Sequence, residues 1–447
     1  MRRLLASPPP HSRSLRSRLR AAVPLAEGDS FSSEPEGPRP EGREESRGDT
    51  WLLLTLFLAV GLIGCGPEDD RTIRIWHEKV SAERALFEEV LARYEAEHGV
   101  DIETIYRDGE EQRQLYIVAA IGGSGPDLIY GRADDASLFA VTETIRPLET
   151  VFDDAYFDAF TERGLVAWGG DTLMVSDQVR TFLALVYNRD LVETPPETLD
   201  DLVALGEQLE DDDVRYALTW NYKEPYFFIP FLTAFGGWVM DDDGTPTLDT
   251  DATAEAIQYV LDLRDEYGLI PPEVDYNVSE TLFKDGEAAT IINGPWAFAG
   301  YGEAGVDYGV ARIPRNEATG RWAAPIVSTS GYAINANVSD EKLPLVRDLL
   351  RYLTSAEVQT LMAERLRAVP TQRAVLTTEA VQTDSLILAS LRQIEVARPM
   401  PLDPMMRQVW DGMRGPYQLV MNGRVTPREG ARLMQEQVEK LIADSQL

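Results

Sequence analysis

Hydrophobic and polar positions change their period several times along the first part of the chain. Alternation with a period of two predicts strands, and apolar residues spaced three and four apart predict amphipathic helices. The predicted elements are a strand over 72–76, a helix with Ser81 as N-cap and Gly99 as C-terminal stop, a strand over 100–106, a helix over about 110–121 and a strand over 126–130. This spacing is typical of parallel βαβ units, so we predict an α/β fold whose strand ends open onto ligand-holding loops.

The second half of the chain is predicted to be richer in helices. Apolar stripes indicate helices near 251–266 and 278–286, a pair of strands follows at 288–292 and 308–313, and the remainder is predicted to be helical to the C-terminus. Ahead of these helices, the acidic run at 241–244 lacks the alternating ligands of an EF-hand calcium loop. We therefore expect a solvated hairpin turn there, and no metal site.

An apolar run of thirteen residues occupies 51–63 and is followed by Gly64 and Cys65. A membrane-spanning helix needs about 20 apolar residues, whereas the hydrophobic core of a signal peptide needs about 7–15. The sequence LIGC resembles the lipobox of bacterial lipoproteins, in which the cysteine is lipid-modified and becomes the new N-terminus. We expect a disordered extension plus lipoprotein signal peptide over 1–64, lipid attachment at Cys65 and a tether over 65–70. The alternative is a short buried helix with a chance cysteine.

Composition narrows the function classes without choosing one. The 447 residues carry 42 Lys and Arg against 75 Asp and Glu, a net charge of −33, which argues against a nucleic-acid partner. One cysteine and three scattered histidines argue against a disulfide scaffold and a zinc site. No Gly-Lys-Ser/Thr phosphate loop and no Gly-x-Ser-x-Gly motif occurs, so we expect no cofactor and no serine-hydrolase site. His77, which follows the first strand, either lines a site or lies in the core.

Aromatic residues beside polar groups are the remaining chemical signal. They are Trp76, Tyr226, Phe227, Trp238, Trp296, Trp410 and Tyr417, all in predicted loops. Sugar rings present flat C–H faces and a rim of hydroxyls, which suit aromatic faces with carboxylates, amides and guanidinium groups nearby. The alternative for each of these residues is ordinary core packing. Two carboxylates around a glycosidic bond would instead make a glycosidase, but chance pairs of acids are certain in a chain this acidic.

Several short motifs spread along the chain carry a resemblance to a known family. They are GSGPDLI at 123–129, LVYNRDL at 185–191, EPYF at 224–227, FKDGE at 283–287, INGPW at 292–296 and MP at 400–401 leading to Trp410. In this order and behind a lipobox, they resemble the extracellular solute-binding proteins of ABC importers, and within them the maltose/maltodextrin-binding proteins. The resemblance extends from about Thr72 to Ile442. The motifs are specific for the family and not for one sugar.

The resemblance implies two α/β lobes joined by crossover hinges, with the ligand in the cleft between them. Lobe one would comprise residues 71–180 and 326–380, and lobe two residues 181–325 and 381–447. The implied function is that of a monomeric, non-enzymatic, lipid-anchored protein of the cell envelope. It would capture an oligosaccharide, a malto-oligosaccharide or related α-glucoside, by lobe closure and deliver it to the ABC permease. Alternatives are the same fold with another sugar, a polyol, a sugar phosphate or a peptide as ligand, or a secreted glycosidase.

The resemblance also implies a set of ligand-binding residues. They are Glu224, Tyr226, Phe227, Trp296, Trp410 and Arg414 on lobe two, and Glu78, Lys79 and Asp134 on lobe one. Three positions depart from the family pattern, where Gly131 replaces a tryptophan, Asp135 an arginine and Thr181 an acidic residue. We expect Arg132 and Asp135 to replace part of the altered set. The aromatic surface of lobe two thus matches the pattern better than lobe one does, which leaves maltose itself open.

Overall fold

A computed structural model describes residues 71–209, 214–241 and 243–445. The predictions for the signal peptide, for lipid attachment at Cys65 and for the tether lie outside these described residues. Within the described ranges, no helix is both long enough and apolar enough to cross a bilayer.

Strands and helices alternate along most of the described chain. The strands are β1 (Thr72–His77), β2 (Asp101–Tyr106), β3 (Leu128–Arg132), β4 (Leu165–Trp168), β5 (Asp171–Val175), β6 (Gln178–Thr181), β7 (Ala184–Asn188), β8 (Tyr216–Thr219), β9 (Ala288–Asn293), β10 (Tyr308–Ala311), β11 (Arg315–Asn316), β12 (Arg321–Trp322), β13 (Ile326–Ile334), β14 (Val369–Pro370) and β15 (Arg398–Pro399). The α-helices are α1 (Ser81–His98), α2 (Gly109–Ile121), α3 (Ala136–Val141), α4 (Asp154–Asp158), α5 (Leu199–Leu209), α6 (Pro225–Ala234), α7 (Asp251–Asp265), α8 (Tyr276–Lys284), α9 (Pro295–Glu303), α10 (Leu343–Leu353), α11 (Ala356–Leu366), α12 (Glu379–Gln382), α13 (Ser385–Val396), α14 (Met406–Met421) and α15 (Pro427–Ser445).

The first sheet confirms the predicted βαβ units. Its strand order is β14-β6-β13-β3-β1-β2, and β1 is parallel to both β2 and β3. The long strand β13 comes from a later part of the chain, lies antiparallel to β3 and also pairs with β5, β6 and β15. Helices α1, α10 and α11 pack around one apolar core of this sheet, and α2 and α3 contribute to another. We call this sheet and its helices lobe one.

The second sheet has the order β10-β7-β9-β8 and forms lobe two with the helices that pack on it. Strand β7 is antiparallel to both β9 and β10, and β8 is parallel to β9. The predicted strands near 288–292 and 308–313 are therefore both present, but they flank β7 and do not pair with each other. β7 is almost wholly buried, so both of its edges need a partner strand. Helices α5, α6, α7, α14 and α15 contribute to the main apolar core of this lobe.

The chain passes between the lobes more than once. Only Phe182 and Leu183 separate β6 from β7, and the return from β10 to β13 includes the small hairpin of β11 and β12. These crossovers give the predicted two-lobe α/β fold. The lobe ranges themselves stay predictions, and two details of the sheets differ from them. Strand β6 extends to Thr181, and β15 pairs with β13 of lobe one, because both strands continue the hydrogen bonding of the first sheet.

The start of α1 differs from its prediction. Ser81 was expected to cap the helix, but it is the first helical residue and has a φ of 49°, while Val80 precedes it in extended conformation. A capping side chain needs extended backbone at its own residue, so Ser81 is in the wrong conformation to accept the bond. The end of the helix confirms its prediction. Gly99 has a φ of 62° and donates its N–H to the carbonyl of Glu95.

The described residues of the acidic run before α7 make the hydrogen bonds of the predicted turn. The side chain of Asp241 accepts hydrogen bonds from the backbone N–H groups of Asp243 and Thr245, at 3.0 and 2.8 Å. Met240 and Pro246 pair as an antiparallel bridge on either side of it. The Asp241 carboxylate is thus occupied by its own turn. In the described residues, no group of three or more His, Cys, Asp or Glu side chains is arranged to hold a metal ion.

Candidate functional site

Five aromatic rings form a continuous strip on lobe two. The ring of Trp410 on α14 meets Tyr226 edge to face at 6.2 Å, and Tyr226 meets Phe227 at 5.6 Å. Phe227 in turn meets Tyr276, the first residue of α8, at 6.4 Å between ring centroids. Trp296, near the start of α9, donates its indole N–H to the Tyr276 hydroxyl at 3.0 Å. We call these five residues the aromatic strip.

Helix starts explain why the aromatic strip forms where it does. Pro225 opens α6 and Pro295 opens α9, where the fixed φ of proline suits the first helical position. Tyr226 and Trp296 follow these prolines directly, so both rings lie in first helical turns. Gly294 also lies against the Trp296 ring, since a Cβ on this glycine would come within 2.1 Å of it.

The members of the strip differ in how much surface they offer. The side chain of Trp296 is 44% exposed, which is unusual for so large a ring. Trp410, Tyr226 and Tyr276 are half-buried, whereas Phe227 is only 7% exposed and lies beneath its neighbours. Burial raises the pKa of the Tyr226 hydroxyl, which is buried and has no hydrogen-bond partner among the described residues. The strip therefore offers mainly apolar ring surface.

An ion pair lies beside the strip. The guanidinium of Arg414 contacts the carboxylate of Glu224 at 3.3 Å through Nε and through Nη2. Glu224 immediately precedes α6, and Arg414 lies one helical turn after Trp410, so both charged groups come from elements that also supply rings. Their side chains are 42% and 38% exposed for Arg414 and Glu224, and both can still donate to or accept from a bound polar molecule.

On lobe one, the sheet edge at the ends of β1 and β3 carries charged side chains. Glu78 follows β1 and accepts a hydrogen bond from Ser330 Oγ at 2.9 Å. Its other carboxylate oxygen lies 3.5 Å from Nε of Arg132, at the end of β3. The Arg132 side chain is 45% exposed, and that of Glu78 is 13% exposed. The ends of two adjacent parallel strands thus bring an acid and a base together at the sheet edge.

Asp134 and Asp135 follow Arg132 in a short 3₁₀ turn. Asp134 is half-buried, while Asp135 is buried and its carboxylate lies 3.5 Å from Arg113 on α2. Burial, followed by the negative charge of Asp134, raises the pKa of Asp135 to about 7, although Arg113 and Arg132 oppose the shift. Near neutral pH, this edge therefore holds a carboxyl group that exists in both charge states.

Comparison with known proteins identifies the family of this chain. Residues 89–389 match the family described as bacterial extracellular solute-binding protein. The chain belongs to this family. This solute-binding protein also resembles a solved structure, the maltose/maltodextrin-binding domain MalE from Bdellovibrio bacteriovorus bound to maltotriose. Identity to that structure is 38%, with a TM-score of 0.74, over 83% of this chain and 100% of that one.

Two curated relatives are similar over most of their length. The maltotriose-binding protein of Pyrococcus abyssi is 27% identical over 349 residues, which are 76% of this chain and 75% of the relative. A maltooligosaccharide ABC transporter solute-binding lipoprotein of Streptococcus pneumoniae is 24% identical over 383 residues, which are 81% of this chain and 89% of the relative. Both relatives are named as binding proteins, and the second is named as part of an ABC transporter.

Three expected ligand residues of this solute-binding protein are buried, namely Lys79, Phe227 and Asp135, and Lys79 is the least exposed of them. Lys79 is 1% exposed, and its ammonium lies 2.8 Å from Asp177 and 3.1 Å from Glu83. The same ammonium is 3.6 Å from the centre of the Tyr130 ring. Lys79 therefore fixes the segment after β1 inside lobe one and does not lie at the exposed edge that was expected for it, because the buried Asp177 needs a cation.

His77 is also buried, so its core alternative is the one that the structure supports. It is 0% exposed and accepts a hydrogen bond from the backbone N–H of Lys79 through Nδ1 at 3.2 Å. Burial, with the positive charges of Lys79 and Arg84, lowers its pKa to about 4. The imidazole is therefore neutral at physiological pH and belongs to the interior of lobe one.

Three of the aromatic residues singled out in the sequence lie away from the strip. Tyr417 is fully buried in α14 and packs on Phe228 at 4.9 Å, so its core alternative is correct. Trp76 lies in β1 beneath the guanidinium of Arg107, at 4.4 Å. Trp238 lies 3.7 Å beneath Arg398 and lines a separate cavity of about 340 Å³. Of the seven aromatic residues that were expected in loops, only Trp238 lies outside the helices and strands.

Sequence reasoning missed Tyr276, which joins Trp296 to the rest of the strip. Its only signal was its place just after Asp275, whose side chain caps α8. Arg407 was also missed, although its spacing was informative. It precedes Trp410, Asp411 and Arg414 by three, four and seven residues, which is one face of a helix.

Proposed function

We propose that this solute-binding protein captures a malto-oligosaccharide or a related α-glucoside and delivers it to the permease of an ABC importer. The aromatic strip carries the proposal, because an exposed tryptophan, a half-buried tryptophan and an ion pair together suit a sugar ring with its hydroxyl rim. The names of the relatives support the same sugar class. The departures at Gly131, Asp135 and Thr181 leave the length and linkage of the sugar to experiment.

The proposed ligand contacts divide between the lobes. On lobe two, Trp296, Trp410 and Tyr226 stack on sugar faces, while Glu224 and Arg414 bond to hydroxyls. Phe227 supports the strip from beneath, as its burial favours. On lobe one, Glu78, Arg132 and Asp134 supply polar groups, while the buried Asp135 holds Arg113 beside them. Lys79 holds the segment after β1 from the interior through Asp177 and Glu83.

Binding couples to closure in this proposal. Periplasmic binding proteins close by a hinge motion around their ligands. A sugar that touches both lobes has more contacts when they are closed, and its higher affinity for that state drives the closure. The closed form then docks on the permease. No covalent step is involved, so the full-length chain incubated with α-glucosides should release no new reducing ends.

Thermal unfolding of the purified full-length chain over a carbohydrate panel tests the proposal. A ligand present at 100 times its Kd stabilises the folded state by about 2.7 kcal/mol. We expect maltotriose and maltotetraose to raise the Tm, and cellobiose and raffinose to leave it unchanged. A panel in which only sugars without α-1,4-linked glucose shift the Tm would show that the ligand class is wrong.

We also propose the location of this protein and its state of association. It is lipid-anchored through Cys65, monomeric and extracytoplasmic, with lobe ranges of 71–180 plus 326–380 and 181–325 plus 381–447. A lipoprotein relative supports the anchor. One acyl chain binds membranes only marginally, whereas the diacylglycerol of a lipoprotein cysteine gives stable anchoring. Labelled palmitate should enter the wild type and not Cys65→Ser, and equal labelling of both would contradict the anchor.

A further inference from the structure

The face of α14 that carries Trp410 also carries charges. Arg407, Trp410, Asp411 and Arg414 follow the three- and four-residue spacing of one helix face. Arg407 lies in the first turn of the helix, and its side chain is 53% exposed. It therefore extends from lobe two beside the proposed sugar site, without belonging to the aromatic strip.

The first turn of α2 on lobe one carries the opposite charge. Glu110 is the second residue of this helix, and its carboxylate also accepts hydrogen bonds from Arg113 at 2.5 Å and from Gln114 at 2.9 Å. Arg113 in turn contacts Asp135 at 3.5 Å. Glu110 is thus held in position by its own helix, next to the charged edge of lobe one.

These two groups meet across the cleft. Arg407 Nη1 donates to Glu110 Oε1 at 2.8 Å, between residues 297 positions apart in the sequence. The hydrogen bond from Arg407 is the main influence that lowers the pKa of Glu110, so the pair favours the ionised carboxylate. Arg407 Nε also lies 3.8 Å from Asp411, and Asp411 lies 3.2 Å from Arg414. A chain of alternating charges therefore connects Asp135 on lobe one with Glu224 on lobe two.

We propose that Glu110 and Arg407 form a clamp between the lobes, which favours the closed arrangement and so raises the affinity for the ligand. Opening a hinge between the two sheets separates α2 from α14, so the ion pair belongs to the closed state. A contact that exists only in the closed state shifts the population toward it, and the apparent affinity rises with that population. Arg407 is thus a positioning residue that acts on the lobes and not on the sugar.

The effect of the clamp has a bounded size. Both side chains are about half exposed, at 53% and 41%, so water and salt screen the attraction. Exposed ion pairs of this kind contribute little free energy. We therefore expect the clamp to change the affinity for the ligand by roughly two- to fivefold. Measuring the effect of the clamp on affinity rests on the proposed sugar-binding function. The separation of the lobes can be measured without any sugar.

Variants of Arg407 in the full-length chain test the clamp, and the chain offers a matched control. Arg365 and Glu89 form a pair at 2.7 Å with 48% and 44% exposed side chains, but both lie within lobe one. Arg407→Gln should weaken maltotriose binding about two- to fivefold at 20 mM NaCl, and Arg407→Glu should weaken it further. Both effects should shrink at 500 mM NaCl, since salt screens exposed charges. Arg365→Gln and Arg365→Glu should leave the affinity unchanged.

A distance between spin labels, one on each lobe, gives the second measurement. Without sugar, Arg407→Glu should shift the distance distribution toward larger separations, and Arg365→Glu should not. In a double-mutant cycle, Glu110→Gln should add little to the loss in Arg407→Gln, because both remove the same contact. Unchanged distances together with additive, salt-independent losses would overturn the clamp. If the wild type binds no maltotriose, the proposed sugar is wrong, and the distances alone decide on the clamp.

Discussion

In the proposed site, lobe two contributes aromatic rings and one ion pair, whereas lobe one contributes charged side chains. The rings of Trp296 and Trp410 expose apolar surface that is ready for a flat ligand. The charged groups of lobe one are already engaged with each other, as Glu78 with Arg132 and Asp135 with Arg113. A ligand can therefore stack on lobe two at once, but it has to compete with existing ion pairs on lobe one. In the proposed function, lobe two therefore supplies most of the affinity and lobe one most of the selectivity.

The largest effect is expected from the buried side of lobe one. Lys79→Met removes the cation that faces Asp177, whose side chain is 3% exposed. Breaking a buried pair by removing one partner typically costs about 3–5 kcal/mol of stability, because the remaining charge stays buried. Urea unfolding measures this loss. Lys223→Met, which removes a lysine from an exposed pair with Glu273, is the control and should change stability by less than about 1 kcal/mol. A fully stable Lys79→Met would show that the lysine does not hold lobe one.

The aromatic strip should behave in the opposite way. Trp296→Ala and Trp410→Ala should keep nearly normal melting without sugar, because their rings are partly exposed already. Stacking on an aromatic ring contributes about 1–3 kcal/mol by analogy with nucleic-acid bases, so each variant should lose about ten- to hundredfold in affinity. Titration calorimetry and intrinsic fluorescence measure the loss.

Tyr417 provides the matched control for the strip. It lies on the same helix as Trp410 but is fully buried. Tyr417→Ala should cost about 3–5 kcal/mol of stability, as for other large-to-small changes in a core. If the tryptophan variants melt as low as Tyr417→Ala and still bind with unchanged affinity, these tryptophans are core residues and the strip is not the site.

The charged edge of lobe one should give stability a pH dependence. The pKa of Asp135 is about 7 in the folded state, above its unfolded value of about 3.9. Between these values the native state binds more protons, so the contribution of Asp135 to stability is lost as the pH rises from about 4 to 7. Asp135→Asn removes this titration. The stability difference between wild type and Asp135→Asn should therefore decline as the pH rises, by at most about 1.4 kcal/mol per pH unit.

His77 should give stability a pH dependence of the opposite sign, over a narrower pH range. Its folded pKa of about 4 lies below the unfolded value of about 6.5. The native state then binds fewer protons, and the contribution of His77 is present above pH 6.5 and lost as the pH falls toward 4. Relative to wild type, His77→Gln should lose less stability on acidification. In the wild type, the opposite effects of Asp135 and His77 on stability partly cancel between pH 4 and 6.5. If stability changes with pH in the same way in Asp135→Asn and in His77→Gln, the two pKa shifts are contradicted.

The sequence by itself determined the local elements and the family. Alternating and helical spacings predicted β1, α1, β2, α2 and β3, because these periods depend only on which faces of an element are buried. Gly99 predicted the end of helix α1, because only glycine readily adopts the left-handed conformation required there. Family motifs then pointed to Trp296, Trp410 and Glu224 as candidate ligand contacts, which remains a prediction.

Only the tertiary structure decided which charged and aromatic residues are buried and which distant residues they contact. Lys79 and Glu78 are neighbours in sequence, yet Asp177, 98 positions away from Lys79, draws the lysine inside. Tyr417 and Trp410 share a helix, but one packs on Phe228 and the other reaches Tyr226. Tyr276 joins the strip, and Arg407 meets Glu110, only because distant segments fold together. Periodicity shows that a face is buried or exposed, but the partner on the other side comes from long-range packing, which no local pattern contains.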